Sequence, residues 1–259
     1  MKSKLKSKSY INIMPFKSSD KLKTFIFCTS YINDPARYNK WINYFFPSKE
    51  YFGADYIFLI NDGSENINFD SRLRIIDAEK PLPDTLKSDL NIVKFPERFG
   101  RISMTTYPGW WRSFTFAVKI AQKYSFDKII HIESDAYVCS LRLAKYIKKI
   151  NRGWTVLWSN YYDFPETCIQ IICKDSFAAL EDFYSKGDEF FFSCNIAAEH
   201  VLPFKKIERR FIGERYGVKD KVSLPKDIDY MAQVPPDWQI PSDFFDQGKE
   251  HISNKNGSN

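Results

Sequence analysis

Two carboxylates one residue apart, Glu133 and Asp135, follow an apolar run and are the side chains best placed for chemistry. The run, 128–132, is rich in isoleucine and lies between two helical patterns, which predicts a buried strand of a parallel sheet. Ligands bind beyond the carboxyl ends of such strands, and residues two apart point to the same side. Converging carboxylates repel each other, so a divalent cation carrying phosphate oxygens would suit them. The alternative is a solvated strand end, because short motifs often match by chance.

The elements that must position these carboxylates alternate between strand and helix. Apolar runs predict strands at 24–30, 54–60, 73–78 and 91–95. Helical spacing predicts helices from Asp34-Pro35 to about Phe46, with Pro47 as the stop, and at 110–124 and 140–150. Two further strands, 154–158 and 167–173, can form an antiparallel pair, and Asp175 is expected to cap a helix towards Gly187. The alternation predicts an α/β fold, a mostly parallel central sheet flanked by helices, with a small C-terminal extension.

Composition narrows the class of protein. A chain of 259 residues with 17% aromatic residues can bury a large core. No apolar stretch approaches the roughly 18 residues that cross a bilayer, and no signal-peptide core follows the basic N-terminus. The five cysteines are an odd, scattered set without zinc-type spacing, so we expect buried free thiols in a reducing cytoplasm.

The net charge of +6 comes from one end of the chain. Residues 1–23 hold seven lysines and one acidic residue, which leaves 31 basic and 31 acidic residues in the remainder. We therefore expect residues 1–22 to form a basic tail, either solvated or drawn to an anionic membrane at about 1 kcal/mol per lysine. The neutral body disfavours nucleic acid as a partner.

Three segments occur in the order found in one enzyme class: Cys28-Thr29-Ser30, Asn61-Asp62-Gly63-Ser64 and Glu133-Ser134-Asp135. Over roughly residues 22–205 the chain resembles GT-A fold, nucleotide-sugar-dependent glycosyltransferases, especially the small bacterial ones that build surface glycans such as lipopolysaccharide. The resemblance rests on order and spacing rather than on any single motif. It implies a GT-A-like catalytic domain at 23–205. We expect the segment 206–246 to be an extension that packs on this domain or contacts acceptor or membrane, and residues 247–259 to be a disordered tail.

The same resemblance implies roles for individual residues. Asp135 would bind a divalent cation, Mn²⁺ or Mg²⁺, on the diphosphate of a nucleotide-sugar donor. Glu133 would face the ribose or the metal, and it is one methylene longer than the aspartate usual at that place in the motif. The residues implied at the donor are Thr29, Ser30, Tyr31, Asn61, Asp62, Arg112 and Ser134. A third metal ligand from the C-terminal part would have to be His200 or His251.

A sugar transfer that inverts stereochemistry needs a carboxylate to accept the proton of the acceptor hydroxyl. Glu199 is the first candidate for this base, although it could be an ordinary surface glutamate, and Asp163 and Glu166 are its rivals. Of the adjacent Trp110 and Trp111, one is expected in the core and the other could stack on a base or a sugar. Arg112 could pair with a phosphate or with Asp62.

The expected function is therefore transfer of a sugar to a hydroxyl of a glycan or glycolipid, in the cytoplasm or on the inner face of the cell membrane. A sugar-phosphate nucleotidyltransferase is an alternative, but the 29–34 loop lacks the glycines that cradle a triphosphate in that class. A non-catalytic glycan-binding or membrane-docked scaffold is another, and it predicts that no cation binds.

Overall fold

A mostly parallel sheet with helices on both faces forms the centre of the computed structural model, which describes residues 21–65, 67, 70–217 and 228–237. The strands are β1 (Thr24–Ser30), β2 (Tyr56–Asn61), β3 (Arg74–Asp77), β4 (Leu90–Lys94), β5 (Lys128–Ile132), β6 (Tyr137–Val138), β7 (Trp154–Ser159), β8 (Phe164–Cys173), β9 (Lys206–Glu208), β10 (Gly213–Arg215) and β11 (Tyr230–Ala232). The helices are α1 (Pro35–Ser48), α2 (Pro108–Lys123), α3 (Leu141–Lys149), α4 (Phe177–Ser185), α5 (Gly187–Ser193) and α6 (Ala198–Val201).

Alternating side chains on β1 divide the apolar core into two layers. Ile26 and Cys28 pack in the layer that holds α1 and α3, whereas Phe25 and Phe27 pack in the layer that holds α2, α4 and α5. Successive side chains of a strand point to opposite faces, so a continuously apolar strand is what a sheet covered on both faces requires. The fully buried pattern of β1 follows directly from its sequence.

The strand order creates a crevice beside β1. The eight-stranded sheet runs β3-β4-β2-β1-β5-β8-β7-β9, and β1 pairs in parallel with both β2 and β5. The chain leaves β1 through α1 on one face and enters β5 from α2 on the other, so the connections diverge at the β1–β5 pair. Such a switch point opens a crevice at the carboxyl ends of the strands.

Within the described part of this sheet, β8 alone runs against the other strands. Its pairing with β5 sets Ile132 opposite Ile169, and the Glu133 amide donates to the Cys168 carbonyl at 2.9 Å. The first residues of β8 therefore lie beside the last residues of β5, at the edge where the crevice opens. A second sheet, β10-β11-β6, adds residues 228–237 to the same edge.

The structure confirms the predicted α/β class, the parallel strands around β1 and the antiparallel β7–β8 pair. Two local predictions were wrong. α1 continues through Pro47 to Ser48, whose hydroxyl donates to the Tyr44 carbonyl at 2.5 Å. Asp175 does not cap α4, because its carboxylate accepts the Gly153 amide at 2.7 Å, a contact across the chain that local pattern does not encode.

The predicted tails fall largely outside the described residues: 1–22 apart from residues 21 and 22, and all of 247–259. Much of the predicted 206–246 extension is also outside them. Its first residues form β9, a strand of the eight-stranded sheet, and β10, a strand of the three-stranded sheet. All five cysteines are buried and unpaired. In the described parts of the chain, no helix is both long enough and apolar enough to cross a membrane.

Candidate active site

A cavity of about 590 Å³ opens at the carboxyl ends of β1, β2 and β5 and at the start of β8. Its wall combines acidic, basic and aromatic side chains, among them Thr29, Ser30, Tyr31, Asp62, Arg98, Arg101, Tyr107, Trp110, Glu133, Asp135, Glu166, Thr167, Glu199, His200 and Arg215. Segments far apart in sequence thus contribute to one hollow at the switch point.

Asp135 faces this cavity with little to balance its charge. Its side chain is 32% exposed, and among the described residues the nearest cation is the guanidinium of Arg37, 3.6 Å away. Burial, and then the neighbouring charge of Glu133, raise the pKa of Asp135 to about 6, although Arg37 acts in the opposite direction. A carboxylate in this position is stabilised by any cation that enters the cavity.

Glu133 is held quite differently. The Thr29 hydroxyl donates to its Oε2 at 2.7 Å, the Trp110 indole N–H donates to its Oε1, and His131 Nε2 lies 3.2 Å from Oε1. Burial opposes ionisation of this carboxyl, but the imidazole of His131 and the two donors together lower the pKa of Glu133 below its usual range. Glu133 is therefore a fixed, ionised acceptor.

Asp62 organises the loop before α2. Its two oxygens accept the amides of Phe99 at 3.2 Å and Gly100 at 2.8 Å, and its carboxylate forms an ion pair with the buried Arg112. A Cβ on Gly109 would lie 2.0 Å from Asp62 Oδ2, so only glycine permits this approach at the start of α2. Asp62 thereby holds the 97–101 loop, which supplies Arg98 and Arg101 to the cavity wall.

The residues predicted at the donor separate into two groups. Thr29, Ser30, Tyr31, Asp62 and Glu133 line the cavity, and the Arg98 guanidinium lies 3.7 Å from the centre of the Tyr31 ring.

The other three, Asn61, Arg112 and Ser134, are buried and do not line the cavity. Asn61 Oδ1 accepts the Ser64 amide at 2.8 Å, which fixes the Asn-Asp-Gly-Ser turn. Arg112 pairs with Asp62, the second of the two partners considered for it.

The opposite wall holds a second charged cluster, centred on Arg215. Arg215 Nε donates to Glu166 Oε2 at 2.8 Å, and its NH2 group lies 3.8 Å from Glu199 Oε1. The Thr167 hydroxyl donates to Glu199 Oε1 at 3.0 Å. Burial raises the pKa of Glu166 in spite of its pairing with Arg215. Asp163, the other candidate base, is exposed in the β7–β8 turn and does not line the cavity.

Several wall residues escaped the sequence analysis. Arg98, Arg101 and Tyr107 lie in a segment without periodic pattern, and Arg215 lies in the basic stretch taken as an extension. The one available signal was the antiparallel β7–β8 pair, because it brings the first residues of β8 to the end of β5. That pairing also brings Thr167 into the site, next to Glu166, which the sequence already offers as a candidate base.

The acidic residues fit a cation held jointly with a ligand. In the described residues, no group of three or more His, Cys, Asp or Glu side chains converges as a wholly protein-made metal site requires. Asp135 presents a partly exposed carboxylate, whereas both oxygens of Glu133 already have partners. His200 lines the cavity, and His251 lies outside the described residues. The donor set therefore suits a hard divalent ion that takes most of its oxygens from a diphosphate and water.

Comparison with solved structures shows a weak likeness. The chain resembles a solved structure described as a glycosyltransferase involved in the glycosylation of the major capsid of PBCV-1, with a TM-score of 0.49 and 10% sequence identity. The likeness covers 89% of this chain and 99% of that one. No family model and no curated protein match the chain. At this level of similarity the likeness carries no functional argument.

Proposed function

We propose that this protein is a glycosyltransferase that moves a sugar from a nucleotide-diphosphate sugar to a hydroxyl of a glycan or glycolipid. The observation that carries the proposal is Asp135: a cavity-facing carboxylate, with its nearest cation 3.6 Å away, at the switch point of a parallel sheet. Nucleotide ligands bind at such points. A partly exposed acid whose cationic neighbour among the described residues stands 3.6 Å away favours a ligand that brings a cation with it.

The geometry favours one orientation of the donor. Tyr31, beneath Arg98, offers an aromatic face beside the end of β1 for the nucleoside. The diphosphate would lie at Asp135, and the sugar would point across the cavity to the wall that holds Glu199. A Mn²⁺ or Mg²⁺ ion bound by Asp135 would stabilise the negative charge that develops on the departing diphosphate.

Glu199 is the proposed base. Its carboxylate accepts the proton of the acceptor hydroxyl as that oxygen bonds to the anomeric carbon and the bond to the diphosphate oxygen breaks. Thr167 and Arg215 hold one of its oxygens, which leaves the other for the acceptor. Attack from the face opposite the diphosphate inverts the configuration. Glu166, paired with Arg215 Nε at 2.8 Å, is better suited to fixing that arginine than to accepting a proton.

The biological setting is part of the same proposal. The resemblance of the motifs favours synthesis of lipopolysaccharide or another bacterial surface glycan from the cytoplasmic side. The lysine-rich N-terminus would then assist contact with an anionic membrane.

The test is release of nucleoside diphosphate from a panel of nucleotide sugars, with Mn²⁺ or Mg²⁺ and a mixture of glycan and glycolipid acceptors. We expect turnover with at least one donor and a loss of about 1,000-fold in Asp135→Asn, the size seen when a key electrostatic group is removed. Asp89→Asn is the matched control, since Asp89 is a half-exposed acid paired with Lys49 at the other edge of the sheet. Equal activity in Asp135→Asn and wild type would contradict the role given to Asp135, and the absence of turnover with every donor would favour a non-catalytic scaffold.

A further inference from the structure

The ring of Trp110 is held on several sides while remaining part of the cavity wall. It stacks on Phe114 with ring centres 4.6 Å apart and planes 7° from parallel, and it meets the edges of Trp111 and Tyr107. Its indole N–H donates to Glu133. Trp111 is wholly buried, so Trp110 is the tryptophan of the pair that presents a surface to a ligand.

Glu133 has the reach that this arrangement needs. Its carboxylate contacts groups from two other elements, the Thr29 hydroxyl at the end of β1 and the Trp110 indole on α2. An aspartate at position 133, one methylene shorter, would withdraw the acceptor from Trp110. Since the side chain is only 21% exposed and both oxygens have donors, little of it remains for a cation.

Trp110 also lies on the side of the cavity that leads to the proposed base. The Tyr107 ring meets Trp110 at right angles, and the Tyr107 hydroxyl accepts the Ala198 amide at 2.7 Å. Ala198 is the neighbour of Glu199 in α6. Tyr107 therefore connects Trp110 with the segment that carries Glu199, and Glu133 connects it with the segment that carries Asp135.

We infer that Trp110 is the platform for the sugar ring of the donor, and that Glu133 is a positioning residue that fixes this platform instead of binding the cation. The identity of the ring rests on the proposed function. An indole face offers a broad apolar surface to the C–H face of a pyranose, and a pre-oriented ring loses little freedom on binding. The pair Glu133 and Asp135 then divides the work: one orients the sugar site and the other holds the cation.

The positioning role is tested without turnover, through the indole N–H signal of Trp110 in a ¹H–¹⁵N spectrum of the full chain. That signal is assigned by its disappearance in Trp110→Phe, which keeps a ring against Phe114. We expect Glu133→Gln to move it, because a neutral amide replaces the charged acceptor. Asp135→Asn should leave it in place. An unmoved signal in Glu133→Gln would overturn the positioning role.

The ligand assignments are tested by calorimetry with Mn²⁺, nucleoside diphosphates and the matching nucleotide sugars. In Glu133→Gln we expect Mn²⁺ affinity in the presence of nucleoside diphosphate to stay within about threefold of wild type, whereas Asp135→Asn loses at least about tenfold. Trp110→Ala should weaken the nucleotide sugar by about tenfold and the bare nucleoside diphosphate by less than about threefold. Thermal melting of each variant verifies that it folds, and Trp110→Phe, with a smaller loss, serves where Trp110→Ala does not fold.

Two further results would overturn this inference and leave the proposed function standing. One is Mn²⁺ affinity that falls as far in Glu133→Gln as in Asp135→Asn, and the other is an equal loss of affinity for both nucleotide ligands in the Trp110 variants. If wild type binds no nucleotide sugar at all, the proposed function itself fails.

Discussion

The two edges of the central sheet both carry charged residues beside a hollow. At the amino edge these residues support the backbone, whereas at the carboxyl edge one of them, Asp135, faces a cavity. At the amino edge a shallow hollow of about 370 Å³ is lined by Lys21, Lys49, Asp55 and neighbouring residues. At the carboxyl edge lies the cavity of about 590 Å³ that contains Asp135.

At the amino edge, charged side chains form hydrogen bonds with backbone groups where loops meet strands. Asp55 Oδ2 accepts the Thr24 amide at 3.1 Å, and Asp127 Oδ2 accepts the Lys23 amide at 3.0 Å. The buried Lys128 donates to three carbonyls at the end of α3, at 3.0–3.2 Å. These side chains form hydrogen bonds with backbone groups at the end of a helix and at the starts of strands, so they stabilise the fold.

At the carboxyl edge, some charged groups also support the backbone, as Asp62 does, but Asp135 supports nothing comparable with its side chain. Burial lowers the pKa of Lys128 to about 8 and raises the pKa of Asp135 to about 6, so each group is driven towards its neutral form. Lys128 gains three carbonyl partners in return, whereas the one cationic partner of Asp135 among the described residues is Arg37, at 3.6 Å. Burial alone therefore does not mark a functional group, whereas partial burial of a charged group that still faces a cavity does.

The largest effect should come from Glu199→Gln, which removes the proposed base at the carboxyl edge. Glutamine still accepts from Thr167 but does not take up a proton, so kcat should fall about 100- to 10,000-fold. Nucleotide-sugar binding should stay within about threefold, because Glu199 is not a donor ligand in this account. Steady-state kinetics and calorimetry measure the two quantities separately.

Glu189→Gln, at an exposed acid on α5, is the control and should leave both quantities unchanged. Should donor binding collapse in Glu199→Gln with kcat preserved, Glu199 would be a structural residue like those of the amino edge.

The amino edge is tested by Lys128→Met, which keeps the length of the side chain and removes its charge. The folded-state pKa of Lys128, about 8, lies below its usual 10.5, so the unfolded chain binds more protons between these values. Wild-type stability should therefore rise relative to Lys128→Met as pH increases from about 8 to 10.5, by about 1–3 kcal/mol. Urea unfolding at pH 7.5 and pH 10 gives the comparison. A wild-type free energy of unfolding that falls relative to that of Lys128→Met as the pH rises would show that the charged form of Lys128 is the stabilising one.

The backbone that supports the site is tested by Gly109→Ala. Alanine is normally preferred to glycine in a helix by roughly 1 kcal/mol, but here its Cβ would lie 2.0 Å from Asp62 Oδ2. We expect a net loss of about 1–3 kcal/mol in the free energy of unfolding, measured with urea. Gly217→Ala is the control, since a Cβ there would meet no atom of the described residues within 4 Å. A Gly109→Ala variant as stable as wild type would mean that Asp62 and its loop can move away from the added Cβ at little cost in free energy.

Sequence reasoning was most successful where structure is decided locally. The apolar runs of β1, β2 and β5 and the spacing in α2 fix those elements, and the end of β5 led directly to Asp135. It was least successful where a role depends on a partner far along the chain. Glu166 meets Arg215 49 residues later, and Asp175 meets Gly153 across the β7–β8 pair. Asn61 is expected at the donor, but it is buried and its side-chain oxygen accepts the Ser64 amide within its own turn.

The most direct measurement is calorimetric titration of a nucleoside diphosphate into wild type and Asp135→Asn, each with and without Mn²⁺. The account predicts that Mn²⁺ strengthens binding to wild type by at least about tenfold, or about 1.4 kcal/mol, and that this gain disappears in Asp135→Asn. A gain from Mn²⁺ that survives in Asp135→Asn would contradict the central claim that this carboxylate holds the cation.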